Sequence, residues 1–176
     1  MLIIRPAVPE DVPAVADMLE EVIEHLHRSG HNYPNWHHGK YPTPAVPAAA
    51  LARGDLYVAQ QDGEIVGTVT INSLQAPQYA EMPWRIEAPP EKVRVIHTLA
   101  TRPSMRGTGL SRRLLAYAEE LAVRQGAVVM RLDTFHQNAP ARHIYESLGY
   151  VHIGYVNFSD IRPEGEPYAI YEKPLN

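Results

Sequence analysis

Apolar residues recur at helical spacing in two long stretches. In the first, Val12, Val15, Leu19, Val22, Ile23 and Leu26 line one face, and the run ends near Gly30. In the second, Leu110, Leu114, Tyr117, Ala118, Leu121 and Ala122 face one way. Arg112, Arg113, Glu119, Glu120 and Arg124 face the other, and Gly126 is the stop. Shorter apolar runs, several rich in β-branched residues, predict strands over 2–5, 56–59, 65–71, up to Thr101, and over 128–134, 150–158 and 168–172. Asp62-Gly63 joins the second and third as a type I′ hairpin turn. Short helices are predicted over 44–53 and 138–148. The order is β-α-α-β-β-β-α-β-α-β-β, an α/β chain of the mixed, α+β kind.

The periodicity fails in two places. Residues 31–47 hold Tyr33, Trp36, Tyr41, several histidines and several prolines. Proline stiffens the segment, so it is a fixed loop. Residues 75–91 form a second irregular stretch, with Tyr79 and Trp84. At the first helix, Glu10 and Asp11 suit an N-terminus, and Pro13 is tolerated only in a first turn. Val8 stands where a Ser or Thr cap is usual, so either Asp11 caps or the first turn is weakly capped.

Composition narrows the class. The 176 residues are enough for one domain with a real core. A formal net charge of −4 argues against nucleic acid or an anionic membrane as the main partner. With no cysteine there are no disulfides, no thiolate nucleophile and no cysteine-based zinc site, which fits a cytoplasmic protein. No apolar run reaches the length of a membrane span, and the N-terminus carries no signal-peptide pattern. His25, His27, His31, His37 and His38 cluster in sequence. His25 and His27 lie two apart on a predicted helix and so point in different directions; a solvated helix end plus loop accounts for them, and we expect no metal.

The most informative stretch runs from Val95 to Ser111: an apolar strand, a short turn with Gly107 and Gly109, then the second long helix. Such a junction aims unpaired backbone N–H groups and the positive helix end at one point, which suits a phosphate. Glycine lets the backbone come close to the bound oxygens. A Walker A loop is excluded, because no Lys follows Gly109. A dinucleotide fingerprint lacks its third glycine, since that position is Arg112.

Arg106-x-x-Gly109-x-Ser111 resembles the acetyl-CoA loop of the GNAT N-acetyltransferase superfamily, whose pattern is Arg/Gln-x-x-Gly-x-Gly/Ala. The run from Asn138 through Tyr145 to Leu148-Gly149-Tyr150 resembles the second half of the same signature. The opening Ile4-Arg5-Pro6-Ala7-x-Pro9-Glu10-Asp11 is also typical, so the resemblance covers almost the whole chain, read as a single N-acetyltransferase domain over 1–176. Ser111 departs from the pattern but is small enough for the loop to close around a pyrophosphate.

The resemblance implies a GNAT fold: a mixed, mostly antiparallel sheet of seven strands flanked by helices, with the fourth and fifth strands splayed. It implies acyl transfer, an acetyl group moving from acetyl-CoA to a small amine or peptide amine by direct attack, and a homodimer is common in the family. Backbone groups of Leu99, Ala100 and Thr101 would pair with the pantetheine arm as an added strand does, one N–H near Leu99 polarising the thioester carbonyl. Arg106, Gly107, Thr108, Gly109, Leu110 and Ser111 would hold the pyrophosphate, with Asn138 and Arg142 on the arm or phosphates. Tyr145 would be the general acid for the leaving thiolate; its other reading is packing with Ile144 and Leu148.

The base is open. No Glu lies between Lys92 and Thr101, and His97 is the titratable residue there, as base or as a hydrogen-bonded core histidine. Asp133 and His136 are further candidates for orienting the amine, though Asp133 could equally brace a turn. Tyr33, Trp36, Tyr41 and Trp84 line the acceptor pocket, or form a lid over the core or a dimer contact. Beside the active enzyme stand two rivals: a non-catalytic CoA or acyl-CoA sensor, and an unrelated nucleotide binder.

Overall fold

The computed structural model describes residues 1–158 and 165–176. The elements come in the expected order. They are β1 (Leu2–Pro6), α1 (Asp11–Ser29), α2 (Ala45–Arg53), β2 (Leu56–Gln61), β3 (Glu64–Asn72), β4 (Val93–Thr101), α3 (Leu110–Arg124), β5 (Val129–Phe135), α4 (Ala139–Ser147), β6 (Val151–Asn157) and β7 (Pro167–Pro174), with three short 3-10 turns between them. The strands form one seven-stranded sheet in the order β1-β2-β3-β4-β5-β7-β6. β4 and β5 are parallel, whereas β1/β2, β2/β3, β5/β7 and β6/β7 are antiparallel.

The β4–β5 ladder runs from Val93↔Val129 to Ile96↔Leu132 and ends there, although β4 continues to Thr101 and β5 to Phe135. The β2–β3 hairpin turns on Asp62 at φ +51° and Gly63 at φ +90°, the two positive values that a type I′ turn requires.

The chain divides into two compact units. One comprises Met1–Ile71 and His97–Ala118, the other Asn72–Ile96 and Glu119–Asn176. In the first, α1 buries Val15, Met18, Leu19 and Ile23 with Trp36, Val58, Ile65 and Ala100. In the second, Tyr79, Val93, Val95, Val129, Phe135, Phe158, Tyr168 and Ile170 form the core. Among the described residues no helix is long and apolar enough to cross a membrane.

The start of α1 resolves the capping alternatives. Glu10 sits at the N-cap without a side-chain cap. The Asp11 carboxylate is drawn instead to Arg5, accepting from Nη1 at 2.6 Å and Nη2 at 2.9 Å, and it also accepts from the Val8 N–H at 2.8 Å. The Arg5 hydrogen bonds hold its pKa below the usual aspartate value, against the opposing effect of burial. A depressed carboxylate stabilises the fold above its unfolded pKa, and that stability is lost as pH falls through the folded value. Asp11→Asn is expected to cost about 1–2 kcal/mol near neutral pH. The cost should vanish in acid below the carboxylate range. Urea denaturation over a pH series checks this, and a gap that persisted at the acid end would contradict it.

Candidate active site

The turn leading to α3 is built from the first unit outward. Arg102 anchors its start: the backbone N–H donates to Val66 O at 2.9 Å, Nε donates to Ile65 O at 2.7 Å, and Nη1 pairs with Glu21. A 3-10 turn at Pro103–Met105 follows. The N–H groups of Met105, Arg106 and Thr108 are spent on backbone carbonyls within the turn. Those of Gly107, Gly109, Leu110 and Ser111 donate to no protein group among the described residues; the first helical bond here is Arg113 N–H to Gly109 O. Gly107 and Gly109 take φ +79° and +80°, and a Cβ at either would have no atom within 4 Å. The Thr108 hydroxyl folds back onto Met105 O at 2.6 Å. Unspent N–H groups at the start of a helix are the kind of feature that suits an anion.

Gly67 on β3 sets how closely α3 seats. A Cβ there would stand 3.1 Å from Leu114 Cδ1 and 3.3 Å from both Ala100 O and Leu110 Cδ2. Sequence reading missed this residue. Its one signal was a glycine inside a predicted strand, which often marks close approach of another element.

The end of β4 is distorted. Thr98 takes φ +46°, a left-handed conformation that costs a β-branched residue about 1–3 kcal/mol. Its hydroxyl is hydrogen-bonded to that of Tyr41. Thr98 lies between His97 and Leu99, both half-buried; Ala100 is buried and Thr101 half-buried.

Residues 31–44 form no helix or named strand and carry one isolated bridge, His37 to Tyr41. Trp36 is 7 % exposed and belongs to the core around α1, so its place is that of a lid. Asn32 brackets it, donating to Trp36 O at 2.7 Å and accepting from Trp36 N–H at 2.9 Å. Tyr41 meets Trp36 edge-on, and Tyr33 stacks on His31. The histidines have bonds of their own: His27 to Trp36 O, His37 to Asn35 and His38 to Glu20. No trio of His, Asp or Glu among the described residues could hold a metal ion.

In the second unit, β5 separates two sets of groups. Alternation puts Arg131, Asp133 and Phe135 on one face and Met130, Leu132 and Thr134 on the other. α4 covers the second face. Asn138 caps α4, accepting from Ala141 N–H at 3.3 Å, and its amide donates to Thr134 Oγ1 at 3.0 Å. Tyr145 is 8 % exposed and packs against Tyr150 and Tyr171. Burial, then the charge of Asp133, raises its pKa above the ordinary phenol value. Arg142 donates from Nε to the Tyr171 hydroxyl at 2.9 Å and from Nη1 to His136 O at 3.0 Å. His136 Nε2 lies 3.0 Å from Glu166 Oε2.

The other face of β5 is covered by the 75–91 segment. Tyr79, 2 % exposed, donates its hydroxyl to Asp133 Oδ2 at 2.7 Å. Trp84 donates its indole N–H to Tyr79 O and lies 3.8 Å beneath the Arg131 guanidinium. Arg131 in turn donates to Gln75 and to Ile86 O. Nothing in the sequence marked Tyr79 as Asp133's partner, since the two stand 54 residues apart.

The sequence matches the Acetyltransferase (GNAT) family over residues 19–150. An S-alkylcysteine N-acetyltransferase from Bacillus subtilis is 31 % identical over 96 residues, 53 % of this chain and 49 % of that protein. The chain spans about half the length of the curated relatives it matches. A GNAT-family acetyltransferase structure from Streptococcus agalactiae superposes with a TM-score of 0.80 at 21 % identity, covering 99 % of this chain and 96 % of that one. A ribosomal-protein alanine N-acetyltransferase from Escherichia coli gives 0.71 at 17 % identity, covering 100 % and 95 %. At these identities the two structures establish a shared fold.

Proposed function

Since the chain belongs to the GNAT acetyltransferase family, we propose that it moves an acetyl group from acetyl-CoA to a primary amine, residues 1–176 acting as one N-acetyltransferase domain. The observation that carries this is the turn before α3, where the N–H groups of Gly107, Gly109, Leu110 and Ser111 have no protein acceptor among the described residues and a Cβ at either glycine would meet no atom within 4 Å. A diphosphate needs that chemistry. Arg106 adds a positive charge, and Ser111 a small side chain. When bound, the donor supplies an activated thioester.

The backbone of Leu99, Ala100 and Thr101 pairs with the pantetheine amides, and the distortion at Thr98 supports this, because a strand kinked there is released from its regular ladder. An N–H near Leu99 stabilises charge on the carbonyl oxygen. Asn138 and Arg142 meet the CoA arm; Arg142 has donors left after its bonds to Tyr171 and His136. Tyr145 acts as the acid for the departing sulfur, donating a hydrogen bond to it as the C–S bond breaks. His97, Asp133 and His136 are the candidates for receiving the acceptor's proton or orienting the amine. Tyr33 and Tyr41 contact the acceptor, while Trp36 and Trp84 stiffen the loops that carry them.

The names of two relatives support a primary amine, one specifying S-alkylcysteine and the other a protein alanine. The test is thiol release from acetyl-CoA with S-methylcysteine, tryptamine and an alanine-initiated peptide, alongside calorimetry with acetyl-CoA, NAD and ATP. We expect binding of acetyl-CoA alone and amine-dependent thiol release. Binding without release on any amine would leave a sensor; no binding would remove the whole reading.

A further inference from the structure

Asp133 stands out among the acids of the second unit. It is half-buried, one carboxylate oxygen is held by the buried Tyr79 hydroxyl at 2.7 Å, and it has no ion-pair partner among the described residues. Tyr79 is itself locked, its carbonyl bonded by the Trp84 indole at 2.7 Å and its ring met edge-on by that of Trp84 at 5.3 Å. A fully buried phenol donating to a carboxylate fixes that group's orientation. The second oxygen remains unspent.

Position on β5 gives this oxygen a use. Asp133 points to the face covered by residues 75–91. Thr134, next in the chain, points to the face covered by α4, where its hydroxyl meets the Asn138 amide. Tyr145 lies on that α4 side, against Tyr171, whose register partner is Leu132. At the C-terminal end of one strand, a phenol and a carboxylate are thus presented from opposite faces. Acyl transfer asks for that arrangement, because the nucleophile arrives at and the leaving group departs from different sides of one carbon.

We propose that Asp133 faces the acceptor nitrogen and that Tyr79 is its positioning residue. The proposal rests on the acyl-transfer reading and assigns the acceptor side of the reaction within it. The lone pair of the neutral amine forms the C–N bond, and the carbonyl π pair moves to oxygen. Its return breaks the C–S bond, and the leaving thiolate, hydrogen-bonded by the Tyr145 hydroxyl, takes its proton from water. The nitrogen, positive after attack, gives its proton to Asp133 and thence to water. Before attack the amine is neutral and only hydrogen-bonded to Asp133; afterwards it is charged. The carboxylate therefore acts mainly on the transition state and on kcat.

Asp133→Asn keeps the size and an acceptor for Tyr79 but removes the charge. With the best amine among S-methylcysteine, tryptamine and the alanine-initiated peptide, kcat/KM is expected to fall about 10–100-fold, at unchanged acetyl-CoA affinity. Tyr79→Phe should cost about tenfold, mainly in kcat, and should cost nothing further in the Asp133→Asn background. Losses that multiply, with melting temperature and acetyl-CoA affinity falling alongside, would mean the pair only braces the loop and would overturn the proposal. An active wild type whose Asp133→Asn variant stays within about threefold would overturn it while leaving acyl transfer standing. A wild type inert on every amine would remove the acyl-transfer reading, and this proposal with it.

Discussion

Tyr145→Phe is expected to lower kcat about 10²-fold and leave acetyl-CoA affinity unchanged. Acid catalysis spans about 10²–10⁴-fold, and the low end is argued from the phenol itself. Burial and the Asp133 charge make Tyr145 a weaker acid than a free tyrosine. A thiol ordinarily titrates at about 8.5, so complete proton transfer to the thiolate runs uphill. What the phenol provides is mainly a hydrogen bond to a sulfur that becomes negative only as the C–S bond breaks. A hydrogen bond to a charged group contributes about 1.5–3 kcal/mol, or roughly 10–150-fold in rate.

The same shift predicts the pH profile. The donating form of a raised phenol persists above the ordinary tyrosine pKa of about 10. Rates should therefore climb with amine deprotonation up to about pH 10, with no fall assignable to Tyr145. A descending limb below that pH, present in the wild type and absent from Tyr145→Phe, would contradict the assignment. The variant keeps the ring packed against Tyr150 and Tyr171, and among the described residues its hydroxyl has no hydrogen-bond partner to strand. Its melting temperature should therefore stay close to that of the wild type. A sensor that lacks chemistry would have no turnover to lose.

The second large effect is expected at the turn. Gly109→Val should weaken acetyl-CoA binding about 100-fold or more. At φ +80° a β-branched residue is strained by about 1–3 kcal/mol, and the exposed loop relieves that strain by moving. Movement turns away the N–H groups of Gly109, Leu110 and Ser111, and each charge-assisted bond lost to the diphosphate costs about 1.5–3 kcal/mol. Two such losses already exceed a hundredfold. Gly54→Val is the control. Gly54 caps α2 at φ +77° with equally open surroundings, so the strain is matched without the anion. Both variants should lose stability by a similar amount, whereas only Gly109→Val should lose acetyl-CoA in calorimetry. Equal affinities in the two would show that the diphosphate is held elsewhere.

How much was legible beforehand depended on the range of the interactions. The stripe Val12–Leu26 and the alternation around Ile65–Ile71 report the period of one backbone at a time, and α1 and β3 follow them to within a residue or two at most ends. The exceptions are instructive. β7 runs past the predicted 168–172 to Pro174 because Lys173 and Pro174 still pair with Met130 and Val129, a cross-strand fact. Asp11 does not cap α1 because Arg5, brought in from β1, holds its carboxylate more strongly than the helix N–H groups do.

The site divides in the same way. Gly107, Gly109 and the start of α3 lie within a few residues of one another, so the glycine turn into the helix could be read from their order alone. That Asn138 caps α4 came from the structure, where its side chain accepts from Ala141 N–H. Trp36 read equally well as a pocket wall or a lid, and only the packing of α1 against Val58 and Ile65 put it in the core. Trp84 looked like a surface for an acceptor until Arg131 came to rest on its ring.

The sequence by itself determined the secondary structure, the glycine turn and the family, because each depends on residues a few positions apart and on the conformations they permit. Only the tertiary structure decided that Tyr79 holds Asp133, that Tyr41 meets the strained Thr98 across 57 residues, and that Gly67 makes room for Leu110 and Leu114. Those pairings arise when distant segments compete for the same buried volume and the same unspent hydrogen bonds, and no local pattern records the winner.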